Sequence, residues 1–185
     1  MVDRFAGLSR FLSFVLRHEP EAIGLHLDRE GWASVDELIV CARTRGRTLD
    51  AATIAEVVAT NDKQRFALSD DGARIRAVQG HSIDVDLGLA PVVPPALLHH
   101  GTATRFLVAI RRDGLRPLDR QFVHLSASVT AAERVGARHG KPVVIAVHAF
   151  EAHEAGHVFH LSQNHVWLVR TLPPEFLAIP EGVPA

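Results

Sequence analysis

The sequence predicts an α+β protein of two lobes, a winged-helix lobe over residues 1–90 followed by a mixed α/β lobe over 91–185. Three observations predict it. Helical three- and four-residue periodicity fills the first part of the chain and ends in a hairpin pattern. Pro91, Pro94 and Pro95 then punctuate the chain as a linker. Beyond them, short apolar strand runs alternate with short helical stretches.

The elements follow in order. Leu8, Phe11, Leu12, Val15 and Leu16 form one apolar stripe, so a helix is expected over Leu8–Arg17. Pro20 stops it soon after Arg17 and His18. Ser34 and Glu37 have capping-box spacing before Leu38, Ile39 and Ala42. A third helix starts near Asp50, with Ile54, Val57 and Val58 on its buried face. Alternating runs at 65–68 and 73–78, around Asp70-Asp71-Gly72, read as a hairpin. In the second lobe, strands are expected at 96–100, 122–126 and 142–147, and helices at 104–112 and 130–138. A strand pair over 157–172 is broken at Ser162-Gln163-Asn164.

Composition narrows the function classes. The 185 residues are 47% hydrophobic, enough for packed cores. Lys and Arg (20) nearly balance Asp and Glu (21), so any nucleic acid must be held by a local basic cluster rather than a general field. One cysteine, Cys41, excludes an intramolecular disulfide and a cysteine-rich zinc module. The start is amphipathic rather than signal-like, and no apolar run approaches the roughly 20 residues that span a bilayer. A soluble, cytoplasmic protein is expected.

Twelve histidines stand out. His153-Glu154-Ala155-Gly156-His157 spells the zinc-hydrolase pattern, which needs both histidines one turn apart on a helix. Gly156 inside that stretch and the strand-like Val158-Phe159-His160-Leu161 after it argue against a metal site. His100-Gly101-Thr102 at a strand end can serve a nucleotide or be a plain strand-to-helix turn, and no Rossmann glycine pattern is present. Arg17 and His18 can be a charged helix end, and Arg65 an exposed strand arginine. Alternatively the three converge on a phosphate, which an arginine fork recognises with two parallel hydrogen bonds.

Taken as an ordered set, these segments resemble the tRNA 2′-phosphotransferase family. The pieces are Leu8-Ser9-Arg10-Phe11-Leu12-Ser13 with Leu16-Arg17-His18, Gly24-Leu25-His26-Leu27-Asp28 with Gly31-Trp32, Asp62-Lys63-Gln64-Arg65-Phe66, and Ile75-Arg76-Ala77 with Gln79-Gly80-His81-Ser82. The second lobe adds His100-Gly101-Thr102, Gly114-Leu115, Val123-His124-Leu125-Ser126, Gly136-Ala137-Arg138-His139-Gly140 and Asn164-His165-Val166-Trp167-Leu168.

The resemblance implies a winged-helix RNA lobe and an ADP-ribosyltransferase-like lobe that holds NAD as co-substrate, without a metal. It implies a catalytic set of Arg17, His18, Arg65 and Arg120, and an NAD pocket of His100, Gly101, Thr102, Gly114, His124 and Ser126. The implied reaction moves an internal RNA 2′-phosphate, of the tRNA splice-junction type, onto NAD through an ADP-ribosylated RNA intermediate. The products are 2′-OH RNA, nicotinamide and ADP-ribose 1″,2″-cyclic phosphate. The protein is expected to act as a monomer on RNA, away from membranes. Three positions depart from the family pattern: His99 stands where Tyr is common, His165 where Gly is common, and Val78 where Asn is common.

Two alternatives remain at this level. One is an ADP-ribosyltransferase that caps phosphorylated RNA or DNA ends and stops there. The other is a non-catalytic winged-helix regulator that senses NAD, though the third helix carries no Arg, Lys or Gln for major-groove readout.

Overall fold

The computed structural model describes residues 5–180. Among them are six α-helices and three antiparallel three-stranded sheets, an α+β architecture. The chain divides into two compact units, Met1–Gly88 and Leu89–Ala185. No helix among the described residues is long and apolar enough to cross a membrane.

The first unit begins with α1 (Ala6–Arg17), two residues longer at its start than the apolar stripe alone indicates. Leu12, Val15 and Leu16 of that stripe are fully buried. A 3₁₀ turn at Pro20–Ile23 follows, and Gly24 ends it. β1 (Ala33–Ser34) leads into α2 (Val35–Arg43). The Ser34 side chain caps α2 by accepting from Glu37 N at 3.3 Å. The reciprocal half of the capping box is diverted: Glu37 Oε1 accepts from His26 N at 3.0 Å, tying the preceding loop to the helix start. α3 (Ala51–Thr60) has Asp50 as its cap, accepting from Thr53 N at 2.7 Å. That hydrogen bond holds the Asp50 carboxyl below its usual pKa.

β2 (Phe66–Leu68) and β3 (Arg74–Ala77) form the expected hairpin, and β1 pairs on the other side of β3, giving the order β1-β3-β2. The core of this unit gathers Leu12, Leu16, Leu38, Ile54 and Ile75, all fully buried. Truncating such a leucine to alanine costs roughly 2–5 kcal/mol.

In the second unit the prolines do not form a free linker. Pro91 bridges to His160, and Val92 N donates to Phe159 O at 2.8 Å, so this arm is fastened to the unit it precedes. β4 (Leu97–Ala103) pairs along its length with β6 (Pro142–His148), which also pairs with β9 (Leu177–Ala178). Val143, Ile145 and Val147 point from β6 into the core, the period-two pattern of a strand covered on one face. The other sheet has the order β5-β8-β7, from Val123–Leu125, Trp167–Val169 and Phe159–Leu161. β4 meets β5 through a two-way bridge between His99 and Ser126. The helices are α4 (Leu107–Asp113), α5 (Val129–Gly136) and α6 (Ala149–Glu154).

Candidate active site

In the first unit the end of α1 collects charge. Arg17 is buried at 8% exposure, an unusual place for a guanidinium. Its Nη2 donates to the Arg65 carbonyl at 3.4 Å, joining positions 48 apart in sequence. The Phe66 ring lies 6.0 Å from its guanidinium carbon, and the Gly80 backbone lies against it so closely that a Cβ there would sit 3.5 Å from Nη1. His18 follows as the helix cap, with Nδ1 2.9 Å from Ser82 Oγ, and Ser82 N donates to the Arg17 carbonyl at 2.9 Å. Arg65 is held at its backbone, where its N donates to Asn61 Oδ1 at 3.3 Å and its carbonyl also accepts from Val78 N at 3.0 Å. Arg17 and His18 therefore stand side by side against the backbone of Arg65, and the Gly80-His81-Ser82 stretch braces them.

His81 is a residue that spacing alone did not single out. It is 2% exposed, and neither ring nitrogen has a hydrogen-bond partner among the described residues. Burial first, then the charges of Arg17, His18 and Arg76, depress its pKa to about 4. It is a neutral imidazole set beside cations. Its only signal in the sequence was membership of a matching stretch.

In the second unit the histidines of paired strands gather. His100 Nδ1 lies 3.1 Å from the His124 carbonyl. A carbonyl only accepts, so Nδ1 carries the proton and Nε2 is an acceptor. Burial, opposed by that hydrogen bond, lowers the pKa of His100 and keeps it neutral. Arg120 Nη1 lies 3.4 Å from His124 Nδ1. A guanidinium only donates, which puts the His124 proton on Nε2. Loss of hydration, then repulsion from Arg138, lowers the Arg120 pKa, and it stays a cation. Ser126 Oγ accepts from Ser128 N at 3.1 Å, and the Ser126 backbone pairs with His99. Thr102 is 5% exposed. Thus His100, His124, Ser126 and Arg120 come together around β4 and β5, with Arg138 as a further cation outside the expected set.

The glycines of the expected pocket have another use. A Cβ on Gly101 would lie 1.7 Å from the Ala132 carbonyl oxygen, and one on Gly114 would lie 2.1 Å from that of Leu172. On the side where a side chain would project, α5 crosses Gly101 and the chain at Leu172 crosses Gly114. The close approach each glycine permits there is to protein backbone.

The zinc-like pattern is split by the helix end. α6 stops at Glu154, Gly156 takes a φ of +100°, and His157 N turns back to Ala152 O at 3.0 Å. His153 and His157 are not successive positions on one helix, and the His157 ring meets Phe176 edge-on at 5.5 Å. Among the described residues no group of three His, Cys, Asp or Glu side chains is placed to hold a metal ion. At the departures from the family pattern, His165 adopts a φ of +58°, a conformation natural to the glycine common there. Val78 is buried at 5%, and His99 Nδ1 is buried without a hydrogen-bond partner.

Residues 3–171 match the family model described as RNA 2′-phosphotransferase, Tpt1 / KptA family. Several relatives carry the name "Probable RNA 2′-phosphotransferase". One from Hahella chejuensis is 54% identical over 184 residues, covering 100% of this chain and 99% of its own. One from Pseudomonas aeruginosa is 56% identical over 170 residues, covering 91% and 93%. One from Agrobacterium fabrum is 56% identical over 171 residues, covering 92% of each.

Proposed function

Because the chain belongs to the RNA 2′-phosphotransferase, Tpt1 / KptA family, we propose that it removes an internal 2′-phosphate from RNA by transferring it to NAD. The products are 2′-OH RNA, nicotinamide and ADP-ribose 1″,2″-cyclic phosphate. The first unit acts as a winged-helix RNA lobe and the second as an ADP-ribosyltransferase-like NAD lobe. The observation that supports this reading is that buried Arg17, with His18 beside it, lies against the backbone of Arg65, a residue 48 positions away in sequence.

A phosphate monoester is already ionised at neutral pH, so its reaction as a nucleophile requires positioning rather than a strong base. Arg17 and Arg65 donate to its oxygens, and His18 supplies or accepts a proton at the 2′-oxygen. Arg120, oriented by His124, meets the negative charge that builds during phosphoryl transfer.

NAD fits the second group of residues. Arg138 suits an anionic pyrophosphate, His99 Nδ1 is an orphaned buried polar atom, and His100 Nε2 on the next residue of β4 is an acceptor. When bound, NAD supplies the ribose carbon that receives the phosphate and the nicotinamide that departs. His100, Thr102, His124 and Ser126 hold and orient it, with Gly101 and Gly114 shaping the backbone around them.

The test is incubation with NAD and a short RNA bearing one internal 2′-phosphate, with products resolved by chromatography. Conversion to 2′-OH RNA with nicotinamide and cyclic phosphate is expected. Unchanged RNA with no nicotinamide release would overturn the reading, and ADP-ribose retained on the RNA would reassign the protein to an ADP-ribosyltransferase that stops after the first transfer.

A further inference from the structure

The chain carries a net charge of −1, so its attraction for RNA must come from a local cluster. One such cluster lies in the first unit, away from the Arg17–Arg65 contact. The sequence Arg43-Thr44-Arg45-Gly46-Arg47 places three arginines in five positions at the end of α2. Such a loop would ordinarily be mobile. Here the backbone closes on itself: Arg47 N donates to Ala42 O at 3.1 Å and Gly46 N to Arg43 O at 2.9 Å, with Gly46 at a φ of +67°. This is the paired hydrogen-bond pattern of a Schellman helix end, which needs a left-handed residue at that position.

The closed turn brings Arg47 to α1 and Arg45 to the 3₁₀ turn that follows it. The Arg47 guanidinium lies 4.6 Å over the Phe11 ring, and Arg45 Nη2 donates to the Ala22 carbonyl. Across from them Arg10 Nε donates to Ala6 O at 3.3 Å. Together they border an open groove of about 740 Å³ with Phe14 and a single acid, Glu19, in its lining. Each of these contacts occupies one part of a guanidinium that has five donors. Among the described residues no carboxylate forms an ion pair with Arg10, Arg45 or Arg47.

The groove lies on the same helix as the candidate site. Arg10, Phe14 and Arg17 stand at i, i+4 and i+7 of α1, with His18 next as its cap, and Phe14 remains 40% exposed. From Arg10 to Arg17 the helix rises about 10 Å. Cations in a track with an exposed aromatic ring are what single-stranded nucleic acid requires, phosphates on the former and a base on the latter.

We propose that this groove binds the single-stranded RNA flanking the 2′-phosphorylated nucleotide, with phosphates on Arg10, Arg45 and Arg47 and a base on Phe14. The proposal rests on the RNA 2′-phosphotransferase reading. It adds a docking track that sets which RNAs are bound well: those with unpaired nucleotides beside the modified one.

The test measures binding of a fluorescent, 2′-phosphorylated single-stranded RNA by anisotropy as a function of salt, together with turnover of the same RNA. Loss of two phosphate contacts in R10Q/R47Q should flatten the log K against log salt slope by about 1.4 and weaken binding at least tenfold at low salt. R10K/R47K should restore the slope. F14A, a change at an exposed position, should weaken binding about tenfold with the slope unchanged. R43Q, outside the groove lining, should bind as wild type. If the wild-type enzyme converts the RNA while R10Q/R47Q and F14A bind it as tightly and with the same slope, the groove is overturned and the activity stands. If the wild type binds RNA with the expected slope changes among variants but never converts it, the activity is overturned and the groove stands. Absence of RNA binding by the wild type overturns the groove, whose occupant is then another class of partner.

Discussion

The two units hold their proposed catalytic arginines in opposite ways. Arg17 is buried, with a backbone carbonyl, a phenyl ring and a glycine backbone around its fork. Arg120 is open to solvent as a residue although its guanidinium loses part of its hydration, and it leans on a side chain, the imidazole of His124. The first geometry is set by folding and resists substitution. The second is set by one neighbour and by whatever anion arrives. An arginine whose orientation is already fixed has less conformational entropy to lose on binding phosphate.

The sharpest test of this contrast is kinetic. Arg17→Ala and Arg120→Ala are each expected to lower kcat on 2′-phosphorylated RNA by about 10²–10³, roughly 3–4 kcal/mol. Arg17→Lys should be nearly as poor as Arg17→Ala, because an ammonium cannot replace a buried planar fork. Arg120→Lys should recover at least tenfold (about 1.4 kcal/mol) over Arg120→Ala. Equal activity of the two lysine variants would break the comparison.

The glycines extend the contrast to stability. Gly101→Ala drives a methyl group into the Ala132 carbonyl and should cost roughly 3 kcal/mol in the second unit. Gly80→Ala meets only ordinary contact distances but has a φ of +91°, and should cost about 1–2 kcal/mol in the first. Trp32 and Trp167 lie one in each unit, so urea melts of single-tryptophan variants report the two losses separately. A uniform loss at both tryptophans would show that the units do not melt independently.

His81 sharpens the picture of the first unit through pH. Its folded pKa of about 4 lies below the unfolded value near 6.5, so the unfolded chain takes up the proton first as pH falls. Its contribution is therefore complete above about pH 6.5 and is lost as pH drops toward 4, amounting to about 3 kcal/mol. Melts of wild type and His81→Leu across that window should differ in slope, and parallel curves would show that His81 is hydrated or charged in the folded state. The smallest effect is expected at His165, where glycine relieves a left-handed backbone but adds unfolded entropy. His165→Gly should raise stability by less than about 1 kcal/mol, visible as a small shift in Tm.

The sequence revealed those elements whose stabilising pattern is local. The α1 stripe, the Asp50 cap, the 66–77 hairpin and the apolar β6 run all signal themselves within a dozen residues. β1 and β9 escaped notice because each is a two-residue strand that exists only by pairing with a distant one. α6 was hidden for another reason: His153 and Glu154 close a six-residue helix whose motif suggested different chemistry. For the candidate site, Arg17 and Arg65 could be named only through resemblance, since nothing in their spacing foretells a contact across 48 positions. The groove beside Arg47 was not legible at all, because it depends on a backbone turn aiming one arginine at one phenylalanine.

Ser82 owns a single hydroxyl hydrogen and has two neighbours that want it, the Arg17 carbonyl at 3.4 Å and His18 Nδ1 at 2.9 Å. When the hydrogen points to the carbonyl, the imidazole must present N–H at Nδ1, and Nε2 becomes the nitrogen that exchanges protons. From that state nothing has to turn when His18 becomes charged, because both ring nitrogens are then donors and Nδ1 already faces an oxygen lone pair. The last carbonyl of α1 and the imidazole of His18 are thus wired through one rotor, which keeps its place on protonation when its hydrogen is on the carbonyl and must turn when its hydrogen is on Nδ1. Ser82→Ala would remove both of these contacts at once, and with them the link between the end of α1 and Nδ1 of His18.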